Sequence, residues 1–190
     1  MPNPEEQLRN CKEVFEFRRT LTNETDRGCA LMAAAFLDIE LAKLLAAFFV
    51  KAPAITESLL GQGGPLAAFS SRIDICYALG LIGQKTHHDL HLILRIRNDF
   101  AQTGKLLKFE EPAIAAQCHE FYYDTLAPGI TPRGKFARTV VAILAIIQAE
   151  ISQFKERAPK KDVVIDDTMR RKVTEIAHVR AKYRPDDSKG

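Results

Sequence analysis

Two histidines in the segment "THHDLHLIL" are spaced so that one metal ion could bind both of them. His87 and His91 lie four residues apart, which puts their side chains on one face of a helix. Two imidazoles suit an ion of the zinc type, but a third ligand must come from elsewhere in the chain. Asp89 is the nearest acid, and the sequence contains no H-E-x-x-H pattern. A solvated polar face explains the pair better, so we predict no metal site and no cofactor.

The sequence gives little support for nucleophilic catalysis or for a phosphate-binding loop. Ser70, Ser71 and Cys76 show no signature, such as G-x-S-x-G, in which a base would activate a nucleophile. The segment "GQGGP" is rich in glycine, but it lacks the lysine and the preceding strand of a phosphate-binding loop. We therefore predict that the chain is not an enzyme.

The main charged feature is the segment "RRKVTEIAHVRAKYR" at 170–184. Residues 155–190 hold 11 basic and 7 acidic side chains, a net charge of +4, whereas the remainder of the chain carries −1. A dedicated DNA-binding domain usually has a stronger basic stripe, and no helix-turn-helix is apparent. A solvated helix face is the commoner origin of such a run. Four of its residues are candidates for contacts with phosphate or with a partner: Arg170, Arg171, Lys172 and Arg180.

The elements that position these residues are predicted to be helices. Leucine and alanine are plentiful, and the alternation typical of strands is scarce. We predict an all-α, single-domain helical bundle of about seven or eight helices. The bundle domain covers 1–160, and a charged C-terminal helix and a frayed tail cover 161–190. A strand at 162–166, "DVVID", is discounted because it would have no partner. The predicted helices cover about 5–20, 24–51, 51–60, 66–82, 85–102, 109–124, 134–157 and 166–182.

Glycines and prolines indicate where these helices end. "GQGGP" is the clearest breaker, and Gly104 is predicted to end the fifth helix. Gly80, in "CYALGLI", would cost about 1 kcal/mol relative to alanine in mid-helix. It therefore either permits a close approach of another helix or ends the fourth helix a turn early.

Composition and cysteine usage predict a cytoplasmic protein. The cysteines are far apart, without C-x-x-C spacing, and we interpret them as reduced thiols that are mostly inert. The N-terminal segment "MPNPEEQLRN" lacks the basic and apolar regions of a signal peptide. The longest uncharged apolar run, Val140–Ile147, is far too short to span a membrane. The four cysteines are Cys11, Cys29, Cys76 and Cys118.

Two residues of opposite charge project onto apolar helix faces. Arg97 falls within the apolar arc of the fifth helix, and Asp38 falls within that of the second. Because an unpaired buried charge is costly, we predict that Asp38 and Arg97 meet inside the bundle, with Asn98 as a hydrogen-bonded neighbour. Arg72 on the fourth helix is a rival partner in this network, and Arg27 on the second helix is another candidate member. The alternative for Arg97 is a position at the end of the bundle, where its side chain reaches water.

Several segments, taken in order, resemble the mannitol operon repressor family. They are "DRGCALMAAAFLDIELAKLL", "FSSRIDICYALGLI", "HDLHLILRIRNDFAQ" and "LKFEEPAIAAQC", and the resemblance covers about Asp26–Cys118. It implies an all-helical, cytoplasmic, bacterial protein linked to the control of sugar-alcohol operons, without a recognised DNA-binding motif. It therefore implies a transcription regulator that acts mainly through protein–protein association.

The partners expected from this resemblance follow from its missing DNA-binding motif. We expect a protein partner of unknown identity and leave a homodimer open. The modest basic charge predicts that any direct binding to nucleic acid is weak, and we expect no association with membranes.

The segment "RNDFAQ" is also similar to the R-x4-H signature of the HEPN superfamily, helical dimers that include RNA-cleaving toxins. In that superfamily an arginine and a histidine at a dimer cleft cleave RNA without metal. Arg97 and Asn98 match the start of the signature, but Gln102 occupies the place of the histidine. An amide cannot transfer protons as an imidazole does. The alternative function is therefore an HEPN-like RNA-processing or toxin–antitoxin protein that does not cleave.

Overall fold

The computed structural model describes residues 4–102, 106–124, 130–161 and 166–183, and it confirms the all-α prediction. A single 3₁₀ turn, Tyr122–Asp124, and an isolated bridge between Val50 and Arg157 accompany the helices in these ranges. Among the described helices we find no candidate for a membrane span. The eight helices are α1 (Pro4–Asn23), α2 (Asp26–Phe48), α3 (Pro53–Leu60), α4 (Phe69–Ala78), α5 (Gln84–Gln102), α6 (Pro112–His119), α7 (Pro132–Ile151) and α8 (Asp167–Lys182).

The chain forms two compact units, Met1–Ala158 and Pro159–Gly190. In the first unit α2 is the central helix, and α1, α4, α5 and α7 pack against it. Its leucines, among them Leu37, Leu41 and Leu44, are fully buried. Burial of one such side chain contributes about 1.5–3 kcal/mol, so α2 and the buried face of α7 supply much of the stability of this unit. The second unit contains α8, whose described side chains are all exposed.

Helix α4 ends at Ala78, four residues earlier than predicted, because of Gly80. This glycine has a φ of 71°, in the left-handed region that side chains disfavour. The Leu81 N–H donates to the Cys76 carbonyl at 2.9 Å, and the Gly80 N–H donates to the Tyr77 carbonyl at 2.9 Å. This pair of bonds is the Schellman arrangement that closes a helix. Of the two interpretations of Gly80, the early helix end is confirmed.

Helix α7 ends at Ile151 and not near 157, because the following residues turn back to cover the end of α2. The Phe154 ring packs edge-on against Phe48, with ring centroids 5.6 Å apart. The Lys51 N–H donates to the Arg157 carbonyl at 2.8 Å. Packing against a distant helix thus overrides the local helical pattern.

Three predicted features fall outside the described residues. They are Gly104 as the stop of α5, the frayed tail over 184–190, and most of the rejected strand at 162–166.

An arginine near the start of α7 joins three elements. Arg133 Nη1 donates to Asp26 Oδ1 at 2.7 Å, and its Nη2 donates to the Leu21 carbonyl at 3.0 Å and to the Glu24 carbonyl. Asp26 also accepts the backbone N–H of Phe109 at 3.1 Å. The Asp26–Arg133 pair therefore fastens the start of α7 and the segment before α6 to the turn between α1 and α2.

Two buried cysteines are expected to resist alkylation in the folded protein. Burial raises the pKa of Cys29 to about 11 and that of Cys76 to about 12. Because the thiolate is the reactive form, iodoacetamide at mildly alkaline pH should leave both unmodified in the native chain and modify both in concentrated guanidinium chloride. Mass spectrometry of the two peptides measures this difference. Equal modification in both conditions would contradict the buried placement of these thiols.

Candidate functional site

A groove of about 610 Å³ lies between α2, the start of α4, and α5. Its wall is mostly apolar and includes Leu31, Ala34, Phe69 and Leu94. The alanine leaves room that a larger side chain on α2 would fill. The groove can therefore receive an apolar side chain from another molecule.

Asp38 lies on this groove, and its carboxylate is paired with Arg72. Arg72 Nη1 donates to Asp38 Oδ1 at 2.7 Å, and the side chains of Arg72 and Asp38 are 11% and 28% exposed. Arg72 Nε donates to the Leu66 carbonyl and its Nη2 to the Leu60 carbonyl, each at 2.8 Å. Arg72 thus neutralises Asp38 and holds the loop that contains "GQGGP" against α2.

Arg97 is exposed and lies on the same groove, so the predicted buried pair with Asp38 is wrong. Its Nη1 donates to the Asn98 side-chain oxygen at 2.9 Å. Arg27, the other candidate member of the network, donates to the Ala101 carbonyl at 3.0 Å. The helix projection identified the correct face of α5, but the groove opens to water there and the Arg97 side chain reaches it. The alternative that Arg97 reaches water therefore describes the structure.

The start of α4 adds a second source of positive potential to the groove. The N-cap residue is Ala68, whose methyl side chain cannot accept a hydrogen bond from the first N–H groups of the helix. Ala68, Phe69 and Ser70 all line the groove. The first N–H groups of a helix carry partial positive charge. These N–H groups and Arg97 give the groove a positive potential, since the charge of Asp38 is matched by Arg72. The groove therefore suits a binding partner that carries an acidic group next to an apolar side chain.

The basic candidates lie on α8. Arg170, Arg171 and Lys172 are exposed, and Arg170 Nη1 lies 3.8 Å from Asp167 Oδ1 on the same helix. Arg180 also belongs to α8, although its side chain lies outside the described part of the chain. The side chains of Arg170, Arg171 and Lys172 are thus available to an anionic surface, but α8 belongs to a different unit from the groove.

A second polar cluster joins α4 to α5 and contains His87 and His91, the two histidines that are four residues apart in the sequence. Asp74 Oδ1 lies 2.9 Å from His87 Nε2 and 2.8 Å from His91 Nε2. Hydrogen bonds from His87 and from His91 lower the pKa of the Asp74 carboxyl. Asp89, the acid nearest to the two histidines in the sequence, does not belong to this cluster. It is fully buried and accepts the backbone N–H of Tyr122 at 3.0 Å.

Sequence reasoning missed Asp74 because it belongs to the preceding helix. Only a helical hairpin, closed by the turn at Gly80, brings Asp74 beside His87. A signal was present in the sequence, since the connection predicted between the fourth and fifth helices is so short that the two helices must pack antiparallel.

The groove and the histidine cluster both lie in a span that matches a known family. A family model described as mannitol repressor matches residues 7–127. The chain belongs to the mannitol repressor family. The span recognised as mannitol repressor includes α2 to α6 and most of α1, whereas α7 and α8 follow it.

A solved structure has a similar fold. It is described as the X-ray structure of the MtlR–HPr complex from Escherichia coli, and a chain of it matches with a TM-score of 0.62 and 19% sequence identity. The match covers 72% of this mannitol repressor family chain and 97% of that chain. No match was found among curated proteins.

Proposed function

We propose that this chain is a cytoplasmic, non-enzymatic transcription regulator that acts by binding a protein partner. The observation that carries the proposal is the mannitol repressor match over residues 7–127. The similar fold of a chain described in complex with HPr supports a protein partner and makes HPr the first one to test.

The proposal assigns partner contact to the groove between α2, α4 and α5. Arg97 is exposed there, and the nearby charge of Asp38 is matched by Arg72. An apolar wall with a cationic edge favours a partner that presents an apolar side chain next to a carboxylate or phosphate. In this proposal Arg97 contacts the partner, Asn98 orients Arg97, and the Asp38–Arg72 pair supports the wall.

Charge reversal at Arg97 is expected to weaken partner binding. Titration calorimetry of the full chain with purified HPr should give saturable binding, and Arg97→Glu should lower the affinity at least about tenfold, or about 1.4 kcal/mol. Repulsion between the new carboxylate and the acidic group of the partner is the reason. Arg95→Glu is the matched control, because Arg95 is also exposed on α5 but does not line the groove.

Two outcomes would contradict this scheme. Equal weakening by Arg97→Glu and Arg95→Glu would remove the groove as the contact surface. Absence of HPr binding would remove HPr as the partner.

DNA binding distinguishes this regulator from a repressor that reads DNA itself. Fluorescence anisotropy on DNA upstream of its own operon and on scrambled DNA should show weak binding, equal on both and lost as salt rises. Replacing Arg170, Arg171 and Lys172 with glutamate should abolish that weak binding. Sequence-selective binding that persists at physiological salt would contradict the proposal.

The alternative is an HEPN-like RNA-processing or toxin–antitoxin protein. It rests on Arg97 and Asn98, which match the start of the R-x4-H signature near the end of α5, while Gln102 in the histidine place argues against cleavage. An RNA digestion assay with Arg97→Ala as control tests it. Cleavage that depends on Arg97 would favour this alternative over the regulator.

A further inference from the structure

Three side chains that commonly bind metals converge on the surface where α4 meets α5. One ligand atom from each of Asp74, His87 and His91 lies within 4.8 Å of the other two. The sequence-based prediction of no metal site rested on the lack of a third ligand, and Asp74 of α4 stands in that place. Against that prediction, we infer that these three residues form a binding site for a divalent transition-metal ion such as Zn²⁺. The inference does not depend on the proposed function.

The two helices aim their ligand atoms at a common point. His87 and His91 are one turn apart on α5, with ring centroids 4.6 Å apart. Both direct Nε2 at the same oxygen of Asp74, at 2.9 and 2.8 Å. The Tyr77 ring lies against His87, with centroids 4.6 Å apart, and limits its rotation. An ion that replaces the two bridging protons needs ligand distances of about 2.0–2.2 Å, which small side-chain rotations supply.

The donor set selects the class of ion. Two imidazole nitrogens and one carboxylate suit Zn²⁺, Co²⁺ or Ni²⁺, whereas Mg²⁺ and Ca²⁺ prefer oxygen ligands alone. The Asp74 side chain is 61% exposed, so a bound ion would keep a coordination position open to water or to a partner's side chain.

A rival account treats the cluster as a hydrogen-bonded bridge that joins α4 to α5 and binds no ion. The two accounts differ in a direct measurement, because the bridge predicts no saturable metal binding. They also differ in which histidines an added ion would protect from a modifying reagent.

Titration of the full-length, tag-free chain tests the site after chelator treatment. Zn²⁺ in a calorimeter and Co²⁺ followed by visible absorption should each show one saturable site per chain. Asp74→Asn, His87→Gln and His91→Gln should each weaken binding at least about tenfold. His119→Gln is the matched control, because His119 is an exposed imidazole on α6 outside the cluster, and it should leave affinity unchanged.

A second measurement needs no substitution. Zn²⁺ should protect His87 and His91 of the unaltered chain from diethyl pyrocarbonate while His119 and His178 still react. No saturable binding, binding retained in all three cluster variants, or equal protection of all four histidines would overturn the inference. HPr binding is measured on the metal-free chain, so failure of either proposal is recognised separately.

Discussion

Replacing Arg72 with alanine is expected to lower the free energy of unfolding by about 3 kcal/mol. The guanidinium is nearly buried and bonds to the Asp38 carboxylate and to the carbonyls of Leu60 and Leu66. Its removal leaves a partly covered carboxylate without a counter-charge and two carbonyls without their donor. The partial exposure of Asp38 puts the cost at the lower end of the range for broken buried pairs.

Denaturant unfolding followed by near-ultraviolet circular dichroism measures this loss. Arg97→Ala is the matched control and should change stability by no more than about 0.5 kcal/mol, because Arg97 is exposed and bonds to its neighbour Asn98. Asp38→Asn combined with Arg72→Ala should cost less than the sum of the single changes. Equal losses for the two arginines, or strict additivity, would show that the Asp38–Arg72 pair does not hold the loop.

Replacing Asp89 with alanine is expected to cost about 3–4 kcal/mol, since it leaves buried N–H donors without an acceptor. The carboxylate is fully buried and accepts the backbone N–H groups of Tyr122 at 3.0 Å and Tyr123 at 3.2 Å. His88 Nδ1 lies 3.0 Å from its other oxygen. Asp89 thus fixes the 3₁₀ turn after α6 onto α5.

Comparison of two identical substitutions isolates this effect. Asp89→Asn places an amide N–H₂ among backbone donors and should cost more than about 1 kcal/mol. Asp74→Asn changes a largely exposed carboxylate and should cost less than that. Thermal unfolding of both variants measures the difference, and equal midpoints would mean that Asp89 contributes little to the turn.

Helix existence and approximate position were predictable from periodicity, but several helix ends were not. The end of α4 had a local signal in the sequence, namely Gly80. Glycine readily adopts the left-handed conformation, with a φ of 71° here, that closes a helix. The end of α7 had no comparable signal, since it depends on contact between Phe154 and Phe48, which are distant in the sequence.

The sequence indicated which helix faces carry the charged residues of the candidate site, but it did not indicate which of these residues form ion pairs. Helix projection put Asp38 and Arg97 on faces that meet at one groove, and both line it. Helix projection could not show that Asp38 pairs with Arg72 and not with Arg97. The partner of Asp38 depends on the distances of α4 and α5 from α2, which the projection of a single helix does not give. Asp74 was missed for the same reason: periodicity describes one helix at a time.

The Asp26–Arg133 pair has a consequence for how far this chain can be truncated. The span that identifies the family ends at residue 127, before Arg133 and before the core residues Val140 and Ile143 of α7. A fragment trimmed to that span would lose the guanidinium that closes the α1–α2 turn and would expose the leucines of α2. In this chain the segment that matches the family model therefore lacks a helix that forms part of its own hydrophobic core.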